Sequence, residues 1–344
     1  MRARPTIALL AAVTIAVVGC GGDGGGSAAA GDGGSLTVYS GREEELVAPL
    51  FEMFEKDTGV DVQVRYGDSA ELAATIAEEG RNSPADVFFA QDPGSLGAVE
   101  AEGLLAELPE AVVDRVPERF RDPDGHWTGT SGRVRVIAYN TEELTEDEVP
   151  DSVFELTDPS WKGRIGLAPT NASFQAFVTA LRLAEGDERA REWLEGIAAN
   201  DPKLYESNIP TVEAVASGEI DLGLVNHYYL YLVKQEDPGA PVENHFLEPG
   251  DPGGLVSVAG AAALESAEHP EEAARFLEFL VSDEGQRFYA ESAEEAEYPL
   301  VAGIEPREGL TPLAELRGPD IRLDALGAEL ERTLQLLNEV GLTS

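Results

Sequence analysis

Tyr228 and Tyr229 are adjacent phenols in the stretch Val225-Asn226-His227-Tyr228-Tyr229-Leu230-Tyr231. Ahead of them, Gly218-Glu219-Ile220-Asp221-Leu222-Gly223-Leu224 reads as a turn and a short buried strand, and after them Leu230 to Gln235 has helical periodicity. The pair therefore falls at a strand-to-helix corner. On a regular strand neighbouring side chains point to opposite faces, so two adjacent phenols converge on one point only where the backbone leaves strand geometry. A helix start adds unsatisfied N–H groups and the positive end of the dipole, which favour ionised phenolates or a bound anion. The alternative is aromatic packing by Tyr228, Tyr229 and Tyr231.

Such a corner needs a scaffold, and the periodicity supplies one. Leu36-Thr37-Val38-Tyr39 reads as a strand opening into Ser40-Gly41-Arg42-Glu43, where Ser40 and Glu43 have the spacing of a capping box; Leu46, Val47, Leu50, Phe51 and Phe54 then form a helical stripe. The strand Val60 to Tyr66 is followed by a second box, Asp68 to Glu71, and a helix through Leu72 and Ile76. The strand Ala85 to Ala90 runs into Gln91-Asp92-Pro93-Gly94. Strands alternating with amphipathic helices predict a mainly parallel sheet whose ligands lie off the carboxyl ends of the strands, where Tyr39 to Glu43 and Gln91 to Asp92 fall.

The long strand Gly132 to Asn140 has no clear helix before it and is a crossing point into a second lobe. That lobe opens with Trp161 to Ala168 as turn and strand, then Pro169-Thr170-Asn171-Ala172-Ser173 before the helix Phe174 to Leu183; small polar residues there make an anion-binding nest or an N-cap. Asn208 precedes the helix Thr211 to Ser217, Gly253 to Gly260 is a return strand, and the chain closes on helices at Pro270 to Val281, Glu284 to Ser292 and Leu323 to Val340. The expected fold is α/β with two lobes, each a mainly parallel sheet flanked by helices and joined by crossing strands. Lobe 1 takes residues 36–132 plus 256–344, and lobe 2 residues 133–255.

Composition narrows the partners. With 24 Lys and Arg against 65 Asp and Glu, the 344-residue chain carries a net charge of −41, which argues against nucleic acid because nothing could replace the phosphate counterions. Arg2 and Arg4 precede an apolar run from Ile7 to Val18 too short to span a bilayer comfortably, so residues 1–19 read as a signal peptide. It ends Val17-Val18-Gly19-Cys20, which resembles a bacterial lipobox, with Cys20 acylated as the first mature residue. Cys20 is the only cysteine, which rules out an intramolecular disulfide and any cysteine-rich cluster. Residues 20–35 form a lipidated, Gly/Ala/Ser-rich tether, and the protein is expected to be exported and anchored to the outer face of the cytoplasmic membrane.

From Leu36 to the C-terminus the chain resembles the ferric-iron-binding solute-binding proteins of ABC importers, which have the class II periplasmic binding protein fold. The resemblance rests on Val38-Tyr39-Ser40-Gly41-Arg42, Ser83 to Phe89, Ser131-Gly132-Arg133, Trp161 to Gly166 and Asn226-His227-Tyr228-Tyr229. It implies that Tyr228 and Tyr229 ligate Fe3+, a hard ion suited to phenolate oxygen. The metal itself would displace the phenolic protons, so affinity should fall with pH.

Other family ligands transfer less directly. The family histidine falls on Glu43, which could bind iron as a carboxylate or simply cap its helix. The family glutamate falls on Gln91, a poor Fe3+ ligand that more naturally hydrogen-bonds nearby. A third tyrosine of some relatives falls at Ser173-Phe174, and Tyr39 could supply one but reads better as strand core. Two phenolates leave iron open positions for a synergistic carbonate or phosphate. The resemblance places Asn171, Ala172, Ser173, Asn208 and Asn226 around such an anion, with Arg42 and Arg133 as charge partners, or Arg133 as a structural pair with acid. His227 should point away from the site, and His126, His245 and His269 read as surface or loop residues.

The resemblance implies a monomeric, non-enzymatic receptor that closes on ferric iron or a small ferric chelate and docks on transmembrane permease subunits served by a cytoplasmic ATPase. A receptor for another small anion, such as a phosphonate, thiosulfate or sugar phosphate, is the alternative. A hydrolase is disfavoured because Gly-x-Ser-x-Gly and His-Glu-x-x-His are missing and four scattered histidines form no set. A pure scaffold lipoprotein would leave the clustered strand-end polar residues unexplained.

Overall fold

The structure is a computed structural model that describes residues 34–292 and 296–343. The expected signal peptide, Cys20 and nearly all of the tether lie outside the described residues. No helix among the described residues is long and apolar enough to cross a membrane.

Ten strands run in chain order as β1 (Ser35–Ser40), β2 (Asp61–Tyr66), β3 (Val87–Ala90), β4 (Thr128–Asn140), β5 (Ile165–Leu167), β6 (Lys203–Leu204), β7 (Leu222–Asn226), β8 (Val242–His245), β9 (Val256–Ala263) and β10 (Tyr298–Pro299). Between and after them come α1 (Glu44–Thr58), α2 (Ser69–Glu79), α3 (Pro93–Ala101), α4 (Glu110–Val113), α5 (Ala172–Glu185), α6 (Asp187–Ala199), α7 (Asn208–Ala216), α8 (Tyr229–Glu236), α9 (Pro270–Leu280), α10 (Asp283–Glu291), α11 (Ala325–Ala328) and α12 (Leu330–Glu339). The sheet order is β2-β1-β3-β9-β4-β7-β5-β6, with β8 and β10 also on β4. Its outer strands are parallel: β1 with β2 and β3, and β5 with β6 and β7.

β4 is the pivot. Its first half pairs antiparallel with β9 and β10, and from Arg135 onward it pairs with β7 and β8. All 13 of its residues are buried, as a strand covered on both sides requires. One strand thus runs through both halves of the sheet, with the change of partners between Val134 and Arg135.

Apolar stripes fix the helices to the sheet. Val47, Leu50, Phe51 and Phe54 of α1 are buried as their spacing predicts, and Phe276 of α9 stacks on Phe51 at 5.5 Å and meets Phe54 edge-on at 5.1 Å. The C-terminal chain touches both halves. α11 lies against α3 so tightly that a Cβ on Gly327 would stand 2.4 Å from the Gly94 carbonyl. α12 then packs on α5, inside the 133–255 segment. Thr333 and Thr179 hydroxyls meet at 2.7 Å, and Arg182 donates to the Glu329 carbonyl at 2.8 Å and its carboxylate at 3.1 Å. α12, in the part of the chain expected in lobe 1, thus lies against α5, in the part expected in lobe 2.

One local expectation fails. Ser40 and Glu43 form no capping box, because Ser40 is the last residue of β1 and the helix begins only at Glu44. Ser40 Oγ instead accepts from the Arg42 N–H at 3.2 Å, and Glu43 occupies the N-cap position without a side-chain cap bond. The Asp68 cap does form, accepting from Ala70 and Glu71 N–H groups.

Candidate functional site

The corner predicted at Tyr228 and Tyr229 is present: β7 ends at Asn226, α8 begins at Tyr229, and only His227 and Tyr228 lie between. The turn brings both phenols to one place. Tyr228 Oη donates to Tyr229 Oη at 2.9 Å, and the rings lie 4.2 Å apart. Tyr228 is buried and Tyr229 partly exposed, so the pair opens outward through Tyr229. The helix start does not ionise Tyr228. Burial, then Tyr229, then the Glu297 carboxylate push its phenol well above the usual tyrosine range, with Arg133 opposing them. Without a metal the Tyr228 phenol therefore keeps its proton.

Arg135, which the sequence reading passed over, stands opposite Asn226 in the register of β4 and β7. Its guanidinium is buried and donates to the Leu224 carbonyl at 2.7 Å, to Ser173 Oγ at 3.1 Å and to Asn226 Oδ1 at 3.5 Å; its Nε is buried without a partner. Burial lowers its pKa to about 9, an ionised Tyr229 or Tyr228 would raise it, and it is ion-paired with no carboxylate among the described residues. A buried cation without a carboxylate partner is costly, and an arriving anion would relieve it.

Around Arg135 four of the predicted anion residues join. Asn171 caps α5 by accepting from the Ser173 N–H at 3.0 Å, and it also accepts from Ser173 Oγ at 2.6 Å and Asn208 Nδ2 at 3.1 Å. Asn208 reaches Ser173 Oγ at 3.3 Å, and its own Oδ1 is buried without a partner. Asn226 closes the circuit through Arg135. Ala172 occupies the first residue of α5. The helix start at Ala172 and the start of α7 at Asn208 are thus joined by side-chain hydrogen bonds.

Arg42 and Arg133 sit elsewhere. Arg42 is ion-paired with the fully buried Glu297 at 3.2 Å; Arg133 lies 3.9 Å from the same carboxylate and donates to the Gln91 carbonyl. Ser131 donates to the other Glu297 oxygen. Gln91 is held by its backbone, its N–H donating to Ser69 Oγ at 2.9 Å. Glu43 is exposed and makes none of these contacts. Tyr39 is strand core, its hydroxyl bonded to Glu79 and Arg65.

His227 is a structural histidine. Its Nδ1 accepts from the Val134 N–H at 3.3 Å and its Nε2 donates to the Ala296 carbonyl at 3.0 Å. His245 departs from the surface expectation: it is buried in β8 and bonded to Asp151 at 3.0 Å. His269 bonds Ser35 at 3.1 Å, and His126 faces Glu100 and Asp122.

Burial pushes the His227 imidazole down to about 4, so the fold holds it neutral while the unfolded chain protonates near 6.5. The unfolded state then binds more protons between those values. The contribution of His227 is complete above about 6.5 and is lost as pH falls toward 4, up to about 3 kcal/mol. Denaturant unfolding from pH 7 to 4 should show a steeper loss in the wild type than in His227→Gln; equal slopes would contradict a neutral buried imidazole.

Comparison with known proteins gives the family and the fold. Residues 82–310 match the family model described as bacterial extracellular solute-binding protein. The major ferric iron-binding protein of Neisseria meningitidis serogroup B is 35% identical over 314 residues, covering 89% of this chain and 93% of that one. Iron-bound HitA from Pseudomonas aeruginosa superposes with a TM-score of 0.83 at 37% identity, over 89% of this chain and 99% of the other. The Trichodesmium protein IdiA (FutA), in complex with iron and citrate, gives 0.79 at 30% identity, over 90% and 100%. This chain belongs to the bacterial extracellular solute-binding proteins, alongside these ferric-iron-binding members and with their two-lobe fold.

Proposed function

We propose that this protein captures ferric iron with a small synergistic anion between its two lobes and delivers it to an ABC permease. The observation that carries this reading is the juxtaposition at one corner: two phenols in mutual contact at 2.9 Å, and a buried guanidinium that has no carboxylate partner among the described residues. Fe3+ supplies the charge that removes the phenolic protons, and phenolate is a strong hard-oxygen donor. Arg135 and the linked Asn171, Ser173, Asn208 and Asn226, with the α5 start at Ala172, would hold carbonate or phosphate in the positions iron leaves open. The proposed lobes are residues 36–132 with 256–344, and residues 133–255. Acylated Cys20 is the proposed anchor on the outer face of the cytoplasmic membrane, and the permease with its ATPase is the proposed partner.

The test is a visible absorbance titration of metal-free protein, begun after Cys20, with a weak ferric chelate. A tyrosinate-to-iron charge-transfer band should saturate at one equivalent and strengthen when phosphate or bicarbonate is added. In Arg135→Met the anion enhancement should disappear while a weaker band remains. If no band forms with or without anion, the tyrosines are structural and the site serves a small anion alone, which isothermal titration with phosphonate, thiosulfate or a sugar phosphate would then show.

A further inference from the structure

The loop before β4 carries donors that the tyrosine corner does not use. Asp122 and His126 belong to a tight turn: the His126 N–H donates to Asp122 Oδ2 at 2.9 Å, the Gly125 N–H to the Asp122 carbonyl at 3.2 Å, and the Asp122 N–H to the Trp127 carbonyl at 3.1 Å. Gly125, at φ 82°, lets the chain reverse there, and the Leu108 N–H holds its carbonyl from outside. Opposite the turn, α3 presents Glu100 in its last turn. His126 Nδ1 lies 3.3 Å from Glu100 Oε1 and 3.3 Å from Asp122 Oδ2.

This is not ordinary surface acid. The Asp122 carboxylate is 2% exposed, and the imidazole nitrogen is itself buried yet forms no hydrogen bond of acceptable geometry to either carboxylate. It lies at the same 3.3 Å from one oxygen of each. For a tetrahedral ion with bonds of about 2.0–2.1 Å, the distance between neighbouring donors is about 3.3–3.4 Å, which is the spacing seen from the nitrogen to each oxygen. All three donor atoms fall within 4.8 Å of one another. The charge also asks for a cation. Two carboxylates face one imidazole. The arginines nearby are engaged elsewhere, Arg121 with Asp114 and Arg322 with Asp324.

We propose that Glu100, Asp122 and His126 form a second metal site, which takes a divalent transition ion of the Zn2+ class through one nitrogen and two oxygens and leaves one position for water. Ferric iron would not be its preferred guest, because the imidazole favours a borderline ion over a hard one. The ion would tie the last turn of α3 to the loop that leads into β4.

The experiment uses the soluble chain carrying Tyr228→Phe and Tyr229→Phe, which removes the iron site and makes the result independent of the proposed ferric function. Co2+ is added at physiological salt with a large excess of Mg2+ to suppress diffuse binding to a protein of charge −41. One equivalent should bind with the visible d–d bands of a four-coordinate nitrogen and oxygen site, be displaced by Zn2+, and raise the thermal midpoint as saturation is approached. His126→Ala should weaken it by more than the roughly 10–100-fold that losing a ligand's supporting hydrogen bond costs, and Glu100→Gln should do likewise. Each variant in the Tyr228/Tyr229 background must keep the wild-type circular dichroism. Absence of a saturable one-equivalent site, or binding unchanged by His126→Ala, would overturn the proposal.

Discussion

Tyr228→Phe is expected to lower ferric affinity by at least about a thousandfold, about 4 kcal/mol, and to abolish the charge-transfer band, while leaving the fold intact. The reason lies in which phenol is buried. Tyr228 has no solvent route for its charge, and its proton is held by burial, by Tyr229 and by Glu297. Only an ion that supplies more stabilisation than those three oppose can ionise it, and on the proposed function Fe3+ in contact with both phenolates would do so. Deleting one hydroxyl removes a charged donor from the metal and takes the hydrogen-bond partner from Tyr229. Tyr229→Phe removes the donor on the open side and should also lose the band. The structural cost of Tyr228→Phe is small, since the ring remains packed at 5.7 Å from His227. Competition against a chelator of known ferric affinity, with unfolding measured in parallel, separates the two quantities. A Tyr228→Phe protein that keeps the band and the affinity would remove iron from the corner.

The same energetics set the pH dependence of iron binding. Each phenol must give up a proton to the solvent on loading, so apparent affinity should fall as pH drops, and more steeply than for a carboxylate-bound ion, whose ligands are already ionised.

The corner was legible because it depends on local features: a short apolar strand, a turn, two tyrosines and a helix. The Asn171 and Asn208 helix starts were legible for the same reason, as small polar residues ahead of periodic stripes. Arg135 was visible in principle. Gly132-Arg133-Val134-Arg135-Val136 puts two arginines two residues apart on one strand, hence on one face. Sequence could not reveal that β4 changes partners between them, so that Arg133 lies beside Glu297 while Arg135 donates to Ser173, Asn226 and the Leu224 carbonyl. Glu297 was hidden for another reason. It sits in a run with Glu291, Glu294 and Glu295, where an acidic residue reads as solvated surface, and its partners lie 255 and 164 positions away in the chain. The failed Ser40–Glu43 box shows the complementary limit. The spacing was correct, but the residue that should cap still belonged to the strand.

Glu297→Gln should be among the most destabilising single changes in this protein, by about 3–5 kcal/mol, because it removes the buried carboxylate that stands 3.2 Å from Arg42 and 3.9 Å from Arg133. Burial alone would raise the Glu297 carboxyl, yet Arg42, Arg133 and Ser131 together outweigh it and hold it below the usual carboxylate range. With the folded value depressed, its contribution is present above the unfolded value of about 4.3 and is lost as pH falls through the folded one. The wild type should therefore lose stability on acidification below about pH 4 in a step that Glu297→Gln lacks. The iron site should respond in the opposite sense. Glu297 is one of the charges that keep Tyr228 protonated, so removing it eases ionisation of that phenol and should shift the pH of half-maximal ferric loading downward. A variant that is less stable yet loads iron at lower pH would show that the buried ion cluster supports the crossing strand at some cost to the metal site. Denaturant unfolding and a pH series of the charge-transfer band, run on the same preparation, decide it. Unchanged stability would mean that the two arginines find other partners, and an unchanged or raised loading pH would mean that the charge of Glu297 does not reach the phenol.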